Sequence, residues 1–450
     1  MRYGKLKVGL ALAAAVVGMV GLVIQPAFAD YAPNSKDVVG VGSDTLQYAV
    51  DFVADGDQDG DPGYNSAGNK YKLINFDATG DANARLAYAD VGAGNGSDCP
   101  PGTGPTAGTG NDTAPVSGTP CTLNPTIVLR AGIPPVQRPN GSGAGAKALA
   151  ADTSHYITFA TAAGCEGPTT GCPSTLSASF DSIQIGTDPL AILAAKTTNA
   201  LPLSAEQLNA IYSCTDTTWS QVGGPPSEDT AAFTIIPIIP PTGSGVRTTF
   251  LSDIGNPTLG SCVVVGEQND PTAIAAQGTA GAPNAIEPMS QSRLYLYDGL
   301  LSTGSPTALG YGYFRDPSCP LNDINSSSPA ACSATGNANV LAPSVQLFTT
   351  GTPSDGNPLF DVTRPLYIYF RDSDVTSTVD WQPGSTLNAV RTLFYNPCLT
   401  GQTGCVTEAG AAGTATFGPG GPPYFDQTAA WTDISAAGIT PAYVPEVGGP

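Results

Sequence analysis

Residues 233–250 read FTIIPIIPPTGSGVRTTF. The first seven form a short apolar, β-branched run, the pattern of a buried strand. Thr242, Gly243, Ser244 and Gly245 then supply a glycine-rich turn, and 246–254 read as the first turns of a helix with Phe250, Leu251 and Ile254 on one face. A strand, a glycine turn and a helix start gather backbone N–H groups, the positive end of the helix dipole and small hydroxyls about one point, which favours an anion. Arg247 adds a fixed charge able to make paired bonds to an oxyanion. One such turn is equally ordinary helix punctuation. Its recurrence carries the reading.

A second copy opens the chain after its first thirty-odd residues. Residues 37–41 (DVVGV) read as a strand, Gly42, Ser43, Asp44 and Thr45 as the turn, and 46–54 (LQYAVDFVA) as a helix. Ser43 or Asp44 is a natural N-cap, the structural alternative to a ligand contact. A third copy runs from Arg138 through Asn140, Gly141, Ser142 and Gly143 into a helix over 146–151, where small residues let backbone approach a ligand closely. Further strands are expected at 71–77, 126–130, 156–160, 180–186 and 365–370, and a helix at 386–393. The aspartates of 55–61 (DGDQDGD) resemble the front of a calcium loop, but Ser66 stands where the twelfth-position Glu is needed, so they read as a polar turn.

Residues 1–29 carry the marks of an export signal. Arg2, Lys5 and Lys7 form the charged start, 8–23 the apolar core, and Ala27-Phe28-Ala29 a small-residue cleavage site with no Cys after it, so no lipid anchor is expected. Removing those three basic residues from the 17 Lys and Arg leaves 14 against 37 acidic side chains, a formal charge of −23. That balance argues against nucleic acid or an anionic membrane surface as partner, and it makes any anion site depend on local hydrogen bonds. Ten cysteines in an exported chain imply disulfides. The simplest connectivity is sequential: Cys99/Cys121, Cys165/Cys172, Cys214/Cys262, Cys319/Cys332 and Cys398/Cys405. A metal centre is a poor reading, because no CxxC occurs and His155 is the only histidine.

Taken in order, the Gly-Ser-Gly-Ala-Gly helix start, the "ITFA" strand, "IQIGTDPLAILA", "LPLSAEQLNAIYSCTDTTWSQVGG" and "IIPIIPPTGSGVRTTFLSDIG" resemble the phosphate-binding solute receptors of ABC importers, in the periplasmic binding protein superfamily. The resemblance covers most of 37–300, and "NAIEPMSQSR" (284–293) resembles the strand and turn that precede the return crossing. It implies an α/β fold of two domains (type II) with a ligand cleft between them. The chain departs from the family in two places. Pro240-Pro241 stands where the family carries an Arg before the Gly-Ser-Gly, with Arg247 a substitute. Thr161, Ala162 and Ala163 stand where it carries an Asp that accepts the phosphate proton. Phosphate, sulfate, another oxyanion and a carboxylate therefore all stay open as ligands.

The expected organisation is a signal over 1–29, a discontinuous first domain over 30–187 and 356–450, and a second over 188–355, with crossings near Asp188-Pro189 and between 343 and 358. About 420 residues after the signal suit two cores. Residues 403–450, rich in Gly, Ala and Pro, read as a loosely structured closing segment. The expected ligand set is Ser43, Asp44, Thr45, Arg138, Ser142, Gly143, Thr242, Ser244, Gly245 and Arg247, with no cofactor, a small anion as ligand, an ABC permease as possible partner, and a monomer. Two rivals stand beside this. One is an exported interaction protein that keeps the fold without transport. The other is an exported hydrolase, for which no G-x-S-x-G elbow occurs and only His155 could serve as histidine base.

Overall fold

A computed structural model describes residues 33–57, 61–67, 69, 71–76, 126–134, 136–164, 176–177, 179–266, 268–295, 345–376 and 386–446. Its frame is one mixed sheet in the order β2-β1-β5-β11-β6-β9-β7-β8, with β10 and β14 also paired to β6. The strands are β1 (Val38–Gly42), β2 (Leu73–Asn75), β5 (Phe159–Ala163), β6 (Phe180–Ala195), β7 (Ile236–Ile239), β8 (Val264–Val265), β9 (Ala285–Ser290), β10 (Val345–Phe348), β11 (Asp361–Arg371) and β14 (Thr440–Glu446). A short pair, β3 (Thr126–Ile127) with β4 (Val136–Gln137), and a hairpin, β12 (Val406–Gly410) with β13 (Gly413–Phe417), stand apart from it. The main helices are α1 (Gln47–Asp55), α2 (Ser142–Ala151), α3 (Ala205–Tyr212), α4 (Gly245–Asp253), α5 (Thr386–Leu393) and α6 (Thr428–Ala436).

β6 is the spine. Its sixteen residues carry antiparallel partners on both edges: β11 and then β10 along one, β14 and then β9 along the other. Beyond this centre each end of the sheet is parallel, β2-β1-β5 on one side and β9-β7-β8 on the other. Parallel strands need helical crossovers, and α1 lies between β1 and β2, α2 between β2 and β5, and α4 between β7 and β8 in the chain as such connections require. The partners on β6 change from β14 to β9 across Asp188 and Pro189, and Asp188 lies opposite Arg364 in β11. Leu359 bridges to Ser204, before α3, and β11 begins at Asp361.

Alternation along the strands sends side chains to separate cores. Val38 of β1 packs with α1, while Val39 and Val41 face Ala146 and Leu149 of α2. Leu190, Ile192 and Ala194 of β6 join Leu208, Tyr212, Trp219 and Phe250 in the core under α3 and α4. Trp219 is fully buried, and its indole N–H is satisfied by Asn284 Oδ1 at 3.0 Å.

Two of the five expected disulfides, Cys214–Cys262 and Cys398–Cys405, are formed. The first ties the end of α3 to the segment leading into β8, and so encloses the glycine turn at 242–245 in a covalent loop of 48 residues' separation. The expected pairs Cys99/Cys121, Cys165/Cys172 and Cys319/Cys332 have no described member: Cys99, Cys121, Cys165, Cys172, Cys319 and Cys332 all lie outside the described residues. The export signal expected over 1–29 lies outside them as well.

The closing segment corrects its reading as loosely structured. The β12–β13 hairpin, α6 and β14 are all formed there, and β14 pairs with Ser182–Thr187 in the central sheet. No described helix is long and apolar enough to cross a membrane.

Candidate anion-binding site

The three glycine turns, numbered here in chain order as the first (42–45), second (140–143) and third (242–245), lie at the ends of β1, β4 and β7, and the fold brings them into direct contact. Gly141 donates its N–H to the Gly42 carbonyl at 3.1 Å, joining the second turn to the first. Gly143 donates to the Gly243 carbonyl at 3.0 Å, joining the second to the third. Glycine is required for these approaches. A Cβ on Gly141, whose φ is +95°, would lie 2.7 Å from the Gly243 carbonyl oxygen. One on Gly245 would lie 2.3 Å from both the Ala163 carbonyl oxygen and Ser142 Oγ.

Each turn is tied down through a hydroxyl. Ser43 donates its N–H to Thr161 Oγ1 at 2.8 Å and the Thr161 carbonyl at 3.0 Å. Ser142 Oγ accepts from the Ala163 N–H at 2.9 Å, so α2 starts against the end of β5. Ser244 is the N-cap of α4 and accepts from the Arg247 N–H at 3.3 Å. Ser43 and Asp44 do not cap α1, whose N-cap position is Leu46, without a side-chain bond. The Asp44 carboxylate instead accepts from Asn269 Nδ2 at 2.9 Å and pairs with Arg293 at 3.5 Å.

Of the expected ligand set, Ser43, Asp44, Thr45, Arg138, Ser142, Gly143, Ser244 and Gly245 are buried. Arg247 is half-buried, and its Nη1 donates to the Pro240 carbonyl at 3.0 Å; Thr242 is exposed.

Behind the turns lies a layer of buried charge that the sequence reading did not single out. Arg364 of β11 donates Nη2 to Asp188 at 2.9 Å and to Thr45 Oγ1 at 3.1 Å. Asp188 also accepts the Ser292 N–H at 3.0 Å. Arg293 lies over the Tyr48 ring at 4.4 Å, a cation–π contact. Gln268 donates to Asn140 at 2.8 Å, and Asn269 contacts both Asp44 and Thr45, so the loop after β8 reaches the first two turns. Glu287 of β9 is buried; desolvation first, then Asp270, pushes its carboxyl well above its ordinary value. Arg364 could have been found in the sequence. A cation inside the strand-like DVTRPLYIYF must be paired where the strand is buried.

The arrangement offers small hydroxyls, backbone amides at two helix starts and guanidinium groups, most of them buried. No group of three His, Cys, Asp or Glu side chains suited to a metal occurs among the described residues. Four turn amides already have acceptors inside the protein: Ser43, Gly141, Gly143 and Ser244. An anion entering between the second and third turns must replace the Gly143–Gly243 hydrogen bond.

Residues 129–311 match the model of a PBP superfamily domain, which bears out the superfamily resemblance over those residues. No curated protein matches the chain. Among solved structures, the chain is similar to an ABC-type phosphate transport receptor from Vibrio cholerae, at 14% identity over 75% of this chain and 87% of that one, with a TM-score of 0.36. It is similar to PstS from Borrelia burgdorferi at 12% identity, over 74% and 87% of the two chains, with a TM-score of 0.32. A phosphate-binding protein from Stenotrophomonas maltophilia gives 15% identity, 67% and 82% coverage, and a TM-score of 0.31.

Proposed function

From a periplasmic-binding-protein superfamily domain over residues 129–311, we propose that the chain is an exported solute-binding protein that captures a small oxyanion, phosphate first, between two halves of its sheet. The observation that carries this is the meeting of three glycine turns from distant parts of the sequence on two turn-to-turn backbone hydrogen bonds. Ordinary helix punctuation does not require three turns to converge. An anion site does, because many weak donors must point at one place.

In this reading, 30–187 with 356–450 forms one domain and 188–355 the other, and β6 and β11 connect them. Turns one and two belong to the first domain and turn three to the second. The Gly143–Gly243 bond is then the contact that opening breaks and ligand replaces. Ser43, Thr45, Ser142, Gly143, Ser244, Gly245 and Arg247 are the donors, with Arg138 and Thr242 at the margin. Asp44 is held by Arg293 and Asn269 and serves as a brace. The chain works as a monomer, delivers its ligand to an ABC permease and performs no chemistry on it.

Calorimetric titration of the oxidised chain, without residues 1–29, against inorganic phosphate and then sulfate tests the proposal. Binding in the micromolar range or tighter, weakened by Ser244→Ala, is expected. The mutual satisfaction of the turn amides favours one second reading, an exported interaction protein that has kept the fold and lost the ligand. Absence of heat with both anions, on folded protein, would select it.

A further inference from the structure

Arg364 sits in β11 directly opposite Asp188 of β6, where the partners along the spine change from β14 to β9. It is 1% exposed, and both hydrogen bonds it makes among the described residues leave from one nitrogen, Nη2. Its Nε and Nη1 are buried and have no acceptor among the described residues. A guanidinium carries five donors in a rigid fork and cannot shed its proton, so buried donors without acceptors cost stability unless a ligand takes them. The acceptor already present, Thr45 Oγ1, belongs to the first glycine turn. The site thus contains a charged, enclosed donor set beside a turn already read as a ligand loop.

We infer that Arg364 is the principal cationic contact of the bound oxyanion, held in orientation by Asp188 and coupled to the first turn through Thr45. The inference rests on the oxyanion reading above and departs from it in naming a different charge. Arg247 has the right place in sequence, but its Nη1 is committed to the Pro240 carbonyl at 3.0 Å, and the residue is only half-buried. Arg364 lies in the strand that joins the two ends of the sheet, so an anion bound to it would also fix β11 against the first turn. Asp188 neutralises the guanidinium before a ligand enters, and its second oxygen is anchored by the Ser292 N–H. The pair therefore adds hydrogen-bonding capacity without adding net charge.

The test uses the oxidised chain without residues 1–29 and inorganic phosphate and sulfate as probes. Arg364→Met alone would strand a buried carboxylate, so the variant is Arg364→Met with Asp188→Asn, which removes both charges together. Loss of charge-assisted bonds predicts at least about tenfold weaker binding for this variant, and more loss than for Arg247→Ala. Arg364→Lys keeps the charge and removes the fork, and the same direction is expected. A measurement on the unaltered chain guards against misfolding: the Nε–H resonance of Arg364, identified by its absence in Arg364→Lys, shifts when phosphate binds. A folded double variant that binds as tightly as the parent, or a resonance that stays put while heat is released, overturns the inference and leaves the oxyanion reading intact. A parent chain that binds neither anion overturns both.

Discussion

Asp433 of α6 is 1% exposed, and neither of its carboxylate oxygens has a hydrogen-bond partner among the described residues. Desolvation, then Asp57 and Asp61 beyond the end of α1, push its carboxyl up to about 8. An unfolded aspartate releases its proton near 4, so between about 4 and about 8 the folded chain holds a proton that the unfolded chain has lost. This carboxyl therefore contributes stability below that window and loses the contribution as pH rises through it. Asp433→Asn should flatten the fall in melting temperature between pH 5 and pH 8; equal slopes for both proteins would show the carboxyl ionised throughout. The same scale governs the glycine turns. Gly245→Ala sets a methyl against the Ala163 carbonyl and Ser142 Oγ, so we expect a loss of about 1–3 kcal/mol in a denaturant titration, together with weaker anion binding. The turns were legible because their chemistry is local: Gly and small hydroxyls at fixed offsets between a strand and a helix. The charges behind them were legible only in part. A cation in the strand pattern around Arg364 demands a partner, but Arg293 and Arg364 find theirs in Asp44 and Asp188, 249 and 176 residues away, and no local pattern names such a pairing.

At the scale of elements, legibility followed the strength of the period. The amphipathic run 386–393 became α5 with the expected bounds, and the helix after the third glycine turn became α4. The local pattern ends β6 at Gly186, before Asp188-Pro189, yet the strand continues through Pro189 to Ala195. Proline costs a strand its amide donor, and here it falls between the segments of β6 that β14 and β9 occupy, where neither ladder needs that N–H. Residues 403–450 misled for a related reason. Their Gly and Pro content signals loops, but β14 is recruited by the free edge of β6, a tertiary effect that overrides local preference. Helix α3 shows the opposite case, since its sequence specifies its own start. Ser204 accepts the Gln207 N–H at 3.2 Å while Gln207 Oε1 accepts the Ser204 N–H at 3.1 Å, a complete capping box. Ser204 also donates to Asp355, which holds the chain before β11 against α3. Ser204→Ala should cost about 1 kcal/mol for the cap alone. A loss above about 2 kcal/mol would assign the excess to the Asp355 contact. A thermal melt of the two proteins decides between these.

Across the whole molecule, charge and site point in opposite directions. After residues 1–29 the chain carries 14 basic and 37 acidic side chains, yet the proposed ligand is an anion. Long-range steering would repel it, because a uniformly negative surface raises the work of approach over roughly a Debye length, about 10 Å at 0.1 M salt. The site itself is enclosed, and its ion pairs, Asp44 with Arg293 and Asp188 with Arg364, cancel locally. Salt should therefore act on the approach and scarcely on the bound state. The expected result is an association rate that rises with ionic strength while the dissociation rate stays nearly constant. Rapid-mixing kinetics of phosphate binding, in a salt whose anion does not compete in the titration, measures both. An association rate that falls as salt is added would mean that a positive field around the site outweighs the acidic surface. A dissociation rate that climbs with salt would mean that the ligand is held mainly by solvent-exposed charge, and would count against a site built from the buried Arg364 and the buried glycine turns.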